Sequence, residues 1–531
     1  VLIAVAAVLI LLYPLASASP RQATPRRAHV VRPSPLASVS PSPPARPPRP
    51  PPFHVQAQVV ISAHAAMRRI PVSFLGISTE YWSLPLWERH LSLLDRVFSL
   101  VHGPGPLIVR IGGDSADRTF WSPVHELPEW AFELTPAWLR EVGTLVRRSG
   151  ARLILDLNLV TATPVIAARW AEAAEASLPR HSILGFEIGN EPDIYSRSLW
   201  QASIADGGAG PVLPEQITAH SYARAFDAYS KALSRAAPAV PLLGPALAEP
   251  RLNVDWVSRL LAGPHPGLRA ITVHRYPYSA CVPRSTSSYP TIARVLSEQA
   301  TAGMARSVAG AVRAAHRARL PLRLSELNSV TCGGVRGVSN TFATALWAPD
   351  ALFEFLRAGV SAVSVHVRAA AINAAFALTR RGLTARPLLY GMVMFKRMLG
   401  PRARLVSLRL RVDAGLHLKA WAVRSGRGTL RVLLIDKGKR SASVQLVVPA
   451  HGRASVERLL APSVRATHGV TLAGRRIGRN GRWRGRSVLG VIVPGPHAYV
   501  LEVSRYSAAL VTFHLRAGAL TPPRHPHTAR R

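Results

Sequence analysis

Two glutamates in this 531-residue sequence each close a short apolar run. Ile183-Leu184-Gly185-Phe186-Glu187-Ile188-Gly189-Asn190-Glu191-Pro192 carries one, and Leu322-Arg323-Leu324-Ser325-Glu326-Leu327-Asn328 carries the other. A carboxyl in such a place sits where a buried strand leaves the core, and Pro192, which has no N–H to donate, stops the first run beside Glu191. Two facing carboxyls suit acetal hydrolysis. One protonates the departing oxygen while the other attacks, or activates water, as an oxocarbenium-like centre develops. A lone glutamate would read as a surface loop residue, so the elements that would make these two face one another carry the argument.

From about 70 to 400 short apolar runs alternate with longer amphipathic stretches, the pattern of a parallel α/β fold. The runs are 72–78, 106–111, 152–159, 183–189, 241–246, 270–276, 322–326 and 362–367, and helices are predicted over 136–149, 163–178, 215–236, 291–318 and 340–358. Eight strands suit a closed (β/α)8 TIM barrel, whose strand ends form one mouth, with the fourth and seventh strands nearly opposite each other. An open doubly wound sheet is the rival, but no Gly-x-Gly-x-x-Gly loop follows the first strand. Beyond 401 the pattern becomes short alternating runs, 404–410, 416–423, 429–435, 443–448 and 498–503, which predict a C-terminal antiparallel β-sandwich over 401–505. Residues 54–69 contain a run of the same character, Val55 to Ile61, and are predicted to pair into that sheet; 506–531 read as a basic tail.

At the other end, the apolar run Val1 to Leu12 leads into Leu15-Ala16-Ser17-Ala18-Ser19-Pro20. Residues 1–20 therefore read as a signal peptide or membrane anchor, and the protein as secreted or held at the outer face of the cytoplasmic membrane. Residues 21–53 read as a Pro-rich disordered linker. The sequence holds two cysteines, Cys281 and Cys332, which in an exported protein favour one disulfide over free thiols or a metal site. They follow the sixth and seventh runs, neighbours in a barrel. The net charge is +38, and only five of the 66 basic residues are Lys. Such a field attracts anionic polymers non-specifically. No basic helix or aromatic-basic stacking motif marks a specific nucleic-acid partner.

The contexts of both glutamates resemble clan A glycoside hydrolases. More narrowly, Ser325-Glu326-Leu327-Asn328-Ser329 with Cys332-Gly333-Gly334, Gly337-Val338-Ser339-Asn340-Thr341 and Leu346-Trp347 is similar to glycoside hydrolase family 79, the β-glucuronidase and heparanase-like family. Arg110-Ile111-Gly112-Gly113-Asp114-Ser115-Ala116-Asp117, Val273-His274-Arg275-Tyr276-Pro277, Val365-His366 and Leu389-Tyr390-Gly391 fit the same pattern. The resemblance implies Glu191 as acid/base, Glu326 as nucleophile, Asn190 on the sugar 2-hydroxyl and Tyr276 holding Glu326 ionised. It puts Asp114 and Ser115 at the non-reducing end. His274, Asn328, Gly333 and His366 complete the expected substrate contacts, although a strand histidine is as often a satisfied core residue. Glu80 and Asn158 are expected behind them. Asp114 stands where the family commonly has Asn, and its charge would oppose a uronate carboxylate; Arg275 and the amides around Gly333 could offset it. The expectation is a retaining β-glycosidase, β-glucuronidase-like, acting on a carbohydrate such as a uronic-acid-containing glycan, with no metal and no organic cofactor. The rivals are a neutral-sugar β-glycosidase of the same clan and a non-catalytic glycan-binding envelope protein.

Overall fold

Eight parallel strands close into a barrel in the computed structural model, which describes residues 55–121, 127, 129–196, 217–426 and 428–515. They are β1 (Leu75–Glu80), β2 (Ile108–Gly112), β3 (Arg152–Leu157), β4 (Ile183–Ile188), β5 (Leu242–Leu247), β6 (Leu268–Arg275), β7 (Leu322–Leu327) and β8 (Ala362–His366). Each pairs with its sequence neighbours and β8 returns to β1. Buried within and without, such strands can be continuously apolar. The expected signal segment 1–20, the linker 21–53 and residues 516–531 lie outside the described residues. No described helix is long and apolar enough to cross a membrane.

Local chemistry explains the helices that the sequence marked. Thr135 and Thr163 accept N–H bonds from Trp138 and Ile166, capping Pro136–Ser149 and Pro164–Ser177, each with Pro in its first turn. Gly150, at φ +65°, ends the first of them. The single helix expected over 291–318 is instead broken into Ile292–Leu296, Glu298–Ala300, Ala302–Ser307 and Ala309–Arg317. Extended Ser297 releases the chain, and Glu298 turns to Lys419 (2.9 Å) and His417 (3.2 Å). The first strand begins three residues later than expected. Val72 is exposed, its carbonyl accepting the Gly105 N–H, and the shift brings Glu80 into the end of β1.

The C-terminal part is a β-sandwich. A four-stranded sheet runs Arg409–Val412, Ala57–Val60, Ala442–Val447, Tyr499–Val503, with Ala57 opposite Val412 on one side and Val444 on the other. The larger sheet runs Met67–Arg69, Arg404–Val406, Leu418–Ser425, Thr429–Asp436, Ser507–His514, Ala454–Leu460, Thr471–Leu472. The run expected over 404–410 therefore splits, switching sheets after Val406. The basic tail expected from 506 is also corrected: Ser507–His514 is an inner strand paired along its length with Thr429–Asp436. It lacks polar alternation because both faces are covered. Val511 and Phe513 face the sandwich core with Val432 and Leu434, while Ala508 and Leu510 pack towards the barrel with Leu433 and Ile435. Asp350, on the helix Phe342–Ala358, clamps this second contact by accepting from Trp421 Nε1 (2.9 Å) and Lys437 Nζ (2.7 Å).

Candidate active site

Glu191 and Glu326 meet at the C-terminal mouth of the barrel. One carboxylate oxygen of each, with a ring nitrogen of His274, lie within 4.8 Å of one another. Glu191 follows β4 in a left-handed conformation, φ 55°, a rare state for a residue with a Cβ. The surroundings hold it there. Its N–H donates to the Ala246 carbonyl near the end of β5, and two residues on Asp193 accepts the N–H groups of Ala248 and Glu249, both at 2.9 Å, and the Asn253 amide. Glu326 comes from β7, where Tyr276 donates its hydroxyl to Oε1 and Arg110 donates Nη1–H to Oε2 at 3.0 Å. His366 Nδ1 lies 3.3 Å from the same Oε2.

The two carboxyls are driven apart electrostatically. Burial pushes Glu191 up to about 7, helped by the charges of Glu326 and Asp114 and opposed by its 2.9 Å bond to His274 Nδ1. Burial also works against an ionised Glu326, but His366, His274, Arg110 and the Tyr276 hydroxyl overcome it and hold the group at about 2. Burial would depress His274, yet the Glu326 charge and the Glu191 bond raise it above its ordinary value. His366 goes the other way, down to about 4, because burial outweighs Glu326 and the neighbouring Arg368 and Arg110 add repulsion. At neutral pH the permanent countercharge of Glu326 is therefore Arg110.

Arg110 was quoted in a motif but given no role by sequence reasoning, and it organises the site. Fully buried in β2, it donates to Glu187 (2.7 Å), Asp156 (2.8 Å), Asn190 (2.9 Å) and Glu326 (3.0 Å). Its signal was available. Arg110, Asp156 and Glu187 each interrupt an otherwise apolar run in three consecutive strands, and buried charges are kept only when paired.

The other expected residues divide. Asn190 is buried, accepts from Arg110 and gives one amide hydrogen to Asp114 at 3.3 Å, so Asp114 does adjoin the glutamates. Ser115 does not present its hydroxyl to the mouth as a substrate contact would: both its N–H and its hydroxyl donate to Glu80 Oε2. Burial and Asp114 push Glu80 up to about 7 despite that bond. Asn328 is likewise corrected. Fully buried, it donates to the carbonyls of His366 (2.9 Å) and Asn373 (3.1 Å) and accepts from Ser329, so it ties the end of β7 to the loop after β8. The Gly333 carbonyl receives the N–H groups of Ile372 and Asn373 in the same seam. Asn158 bonds within the loops, to Thr119 and Thr161, and Arg275 bonds to Ser307 at 2.8 Å. Cys281 and Cys332 are disulfide-bonded, their Cα atoms 6.0 Å apart, which joins the loops after β6 and β7.

Glu191, His274 and Glu326 are also a donor set that a divalent cation could use. Their atoms already bond one another, Arg110 and Tyr276, and the positive charge of Arg110 and of a protonated His274 opposes a further cation. A groove of about 500 Å³ lies elsewhere, lined by Met67, Arg68, Leu405, Leu410, Lys419 and Trp421. Its Lys419 is tied to Glu298 and Glu354, and none of the described residues that line it is acidic.

No protein-family model matches the chain, and no curated protein matches it in sequence. Solved structures do match in fold. A 4-O-α-L-rhamnosyl-β-D-glucuronidase from Fusarium oxysporum 12S, in complex with Rha-GlcA, superposes with a TM-score of 0.68 at 18% identity, covering 86% of this chain and 100% of that one. The GH51 arabinofuranosidase from Xanthomonas axonopodis pv. citri gives 0.64 at 13%, covering 87% and 100%. An α-L-arabinofuranosidase from Thermotoga maritima in complex with arabinose gives 0.63 at 16%, covering 86% and 100%. At these identities the likeness establishes the architecture, a (β/α)8 barrel with a C-terminal β-sandwich.

Proposed function

We propose that the protein is a retaining β-glycoside hydrolase, β-glucuronidase-like in specificity, with Glu191 as acid/base and Glu326 as nucleophile. The observation that carries this is the carboxyl pair itself: oxygens within 4.8 Å, one group pushed up to about 7 and the other held at about 2. Retaining enzymes place their carboxyls about 5–5.5 Å apart, whereas inverting ones leave about 6.5–9.5 Å for a water. The structural likeness to a rhamnosyl-glucuronidase and to arabinofuranosidases, and the resemblance to family 79, point the same way.

In the first step a Glu326 oxygen bonds the anomeric carbon. The glycosidic C–O bond breaks, and its oxygen leaves with the Glu191 proton. In the second, water attacks that carbon, Glu191 takes back a proton, and the ester bond to Glu326 breaks. Tyr276 and Arg110 keep Glu326 charged until attack. Asn190 retains one amide hydrogen after bonding Asp114, enough for a sugar 2-hydroxyl. The apolar segment from Val1 to Leu12 supports export to a compartment where glycans are met. A neutral-sugar specificity is favoured by one observation, the acidic Asp114 beside Asn190. A panel of aryl β-glycosides, with NMR of the first-formed anomer, tests the proposal. Retention with preference for the glucuronide supports it, an inverted first product makes Glu326 a base instead, and inactivity on the whole panel overturns it.

A further inference from the structure

Two residues beyond His366 at the end of β8, Arg368 places a guanidinium at the mouth of the barrel. The backbone around it is tied on both sides. Ala369 N–H donates to Ser83 Oγ (3.0 Å) beyond β1, and Ile372 and Asn373 donate to the Gly333 carbonyl (2.8 and 3.0 Å) beyond β7. The side chain returns over the same seam. A Cβ on Gly333, which has φ +72°, would stand 3.3 Å from Arg368 Nη2. Yet the half-buried guanidinium makes no hydrogen bond or ion pair with any described residue. Its charge still reaches the site, favouring the ionised carboxylate of Glu80 and disfavouring the protonated ring of His366.

The neighbouring cations differ in this respect. Arg110 is engaged by Glu187, Asp156, Asn190 and Glu326, His274 by Glu191, and Arg275 by Ser307. A guanidinium taken partly out of water without a partner is unfavourable, and its planar fork matches a carboxylate with two parallel bonds. Asp114 and Glu80 face the same region, so an anionic sugar could settle there only with a countercharge. Sequence reasoning sought it in Arg275 or in the amides near Gly333, but Arg275 is bonded to Ser307.

We infer that Arg368 receives the C5 carboxylate of a uronic acid sugar bound at the Glu191–Glu326 pair. This rests on the glycosidase reading of that pair and names what selects the substrate. Lysine at 368 keeps the charge and loses the fork, and glutamine loses the charge.

The experiment compares full-length wild type, Arg368→Lys and Arg368→Gln on an aryl β-D-glucuronide and the aryl β-D-glucoside with the same leaving group, with thermal unfolding as the check on folding. In Arg368→Gln the ratio of kcat/KM for glucuronide over glucoside is expected to fall about 100-fold, the range of a charge-assisted paired bond, and in Arg368→Lys by about tenfold. An unchanged ratio, whether both activities drop together or neither does, overturns the inference. A wild type that cleaves the glucoside and not the glucuronide overturns it too while sparing the glycosidase reading. A wild type inactive on every β-glycoside removes that reading itself, and the inference with it.

Discussion

Neutralising Glu326 should change the acidity of Glu191, because part of what holds the Glu191 proton is a charge at most 4.8 Å from it at nearest approach. Two unit charges at that distance interact by about 3.5 kcal/mol at an effective dielectric of about 20, which is about 2.5 pK units. Water at the mouth screens some of this, so the expected shift is roughly 1 to 2.5 units. In Glu326→Gln, Glu191 should therefore fall from about 7 to between about 4.5 and 6. Carboxyl ¹³C titration of both proteins measures this directly.

The proposed chemistry needs that drop. In the glycosyl-enzyme Glu326 is an uncharged ester, and Glu191 must then act as base, so the same loss of charge that follows attack readies it for the second step. Wild-type turnover should be limited on the alkaline side by Glu191. At pH 8 only about one molecule in ten would keep its proton, while the acid limb, set by Glu326, lies far lower. Glu191→Gln should lose about 10²- to 10⁴-fold on unactivated glycosides, keep glycosylation by activated aryl ones, and be rescued by azide in the second step. A Glu191 that titrates within about half a unit of its wild-type value in Glu326→Gln would refute the electrostatic coupling.

Arg110→Met should destabilise the protein by about 3–5 kcal/mol, since it strands Glu187 and Glu326 as buried charges and takes its donor from Asp156, whose carboxyl burial holds well above its ordinary range; a melting point within experimental error of wild type would contradict this. Cys281→Ser with Cys332→Ser should lower stability by up to about 4 kcal/mol, the entropy of a loop with sequence separation 51, read from denaturant midpoints. Asp436→Asn should raise the melting temperature at pH 8 and not at pH 4. Burial pushes Asp436 up to about 7, so whatever stability it contributes is present below its unfolded value and lost as pH rises through about 7. Its Oδ1 bond from Gly438 N–H survives the change, and the expected gain is about 1 kcal/mol; equal effects at both pH values would sink the argument.

The barrel strands and the two glutamates were legible because both rest on local pattern: an apolar run has a period, and its end is marked by Asn190-Glu191-Pro192 or Ser325-Glu326. Orientation within a loop has no such signature. Ser115 and Asn328 are polar residues in the expected motifs, yet the first turns to Glu80 and the second to the backbone beyond β8, outcomes decided by neighbours distant in sequence. Ser507–His514 was missed for a different reason. A strand covered on both faces loses the polar alternation that marks a strand with one wet face, and here the basic residues after it dominate the local composition.

The same physics explains why the supporting charges were harder to read than the proposed catalytic ones. Glu191 and Glu326 stand where the strands end, so their types are conspicuous, whereas Arg110 is one charged residue inside β2 whose meaning depends on carboxylates from β3, β4 and β7. It joins fold to chemistry: the ion pairs that draw four strands together also hold Glu326 ionised. Loss of Arg110 should therefore reduce stability and nucleophile charge together. Loss of Arg368, which binds no described residue, should leave the barrel intact and change which sugar is selected. Separating those two behaviours by mutation distinguishes the part of the charge network that builds the site from the part that chooses its ligand.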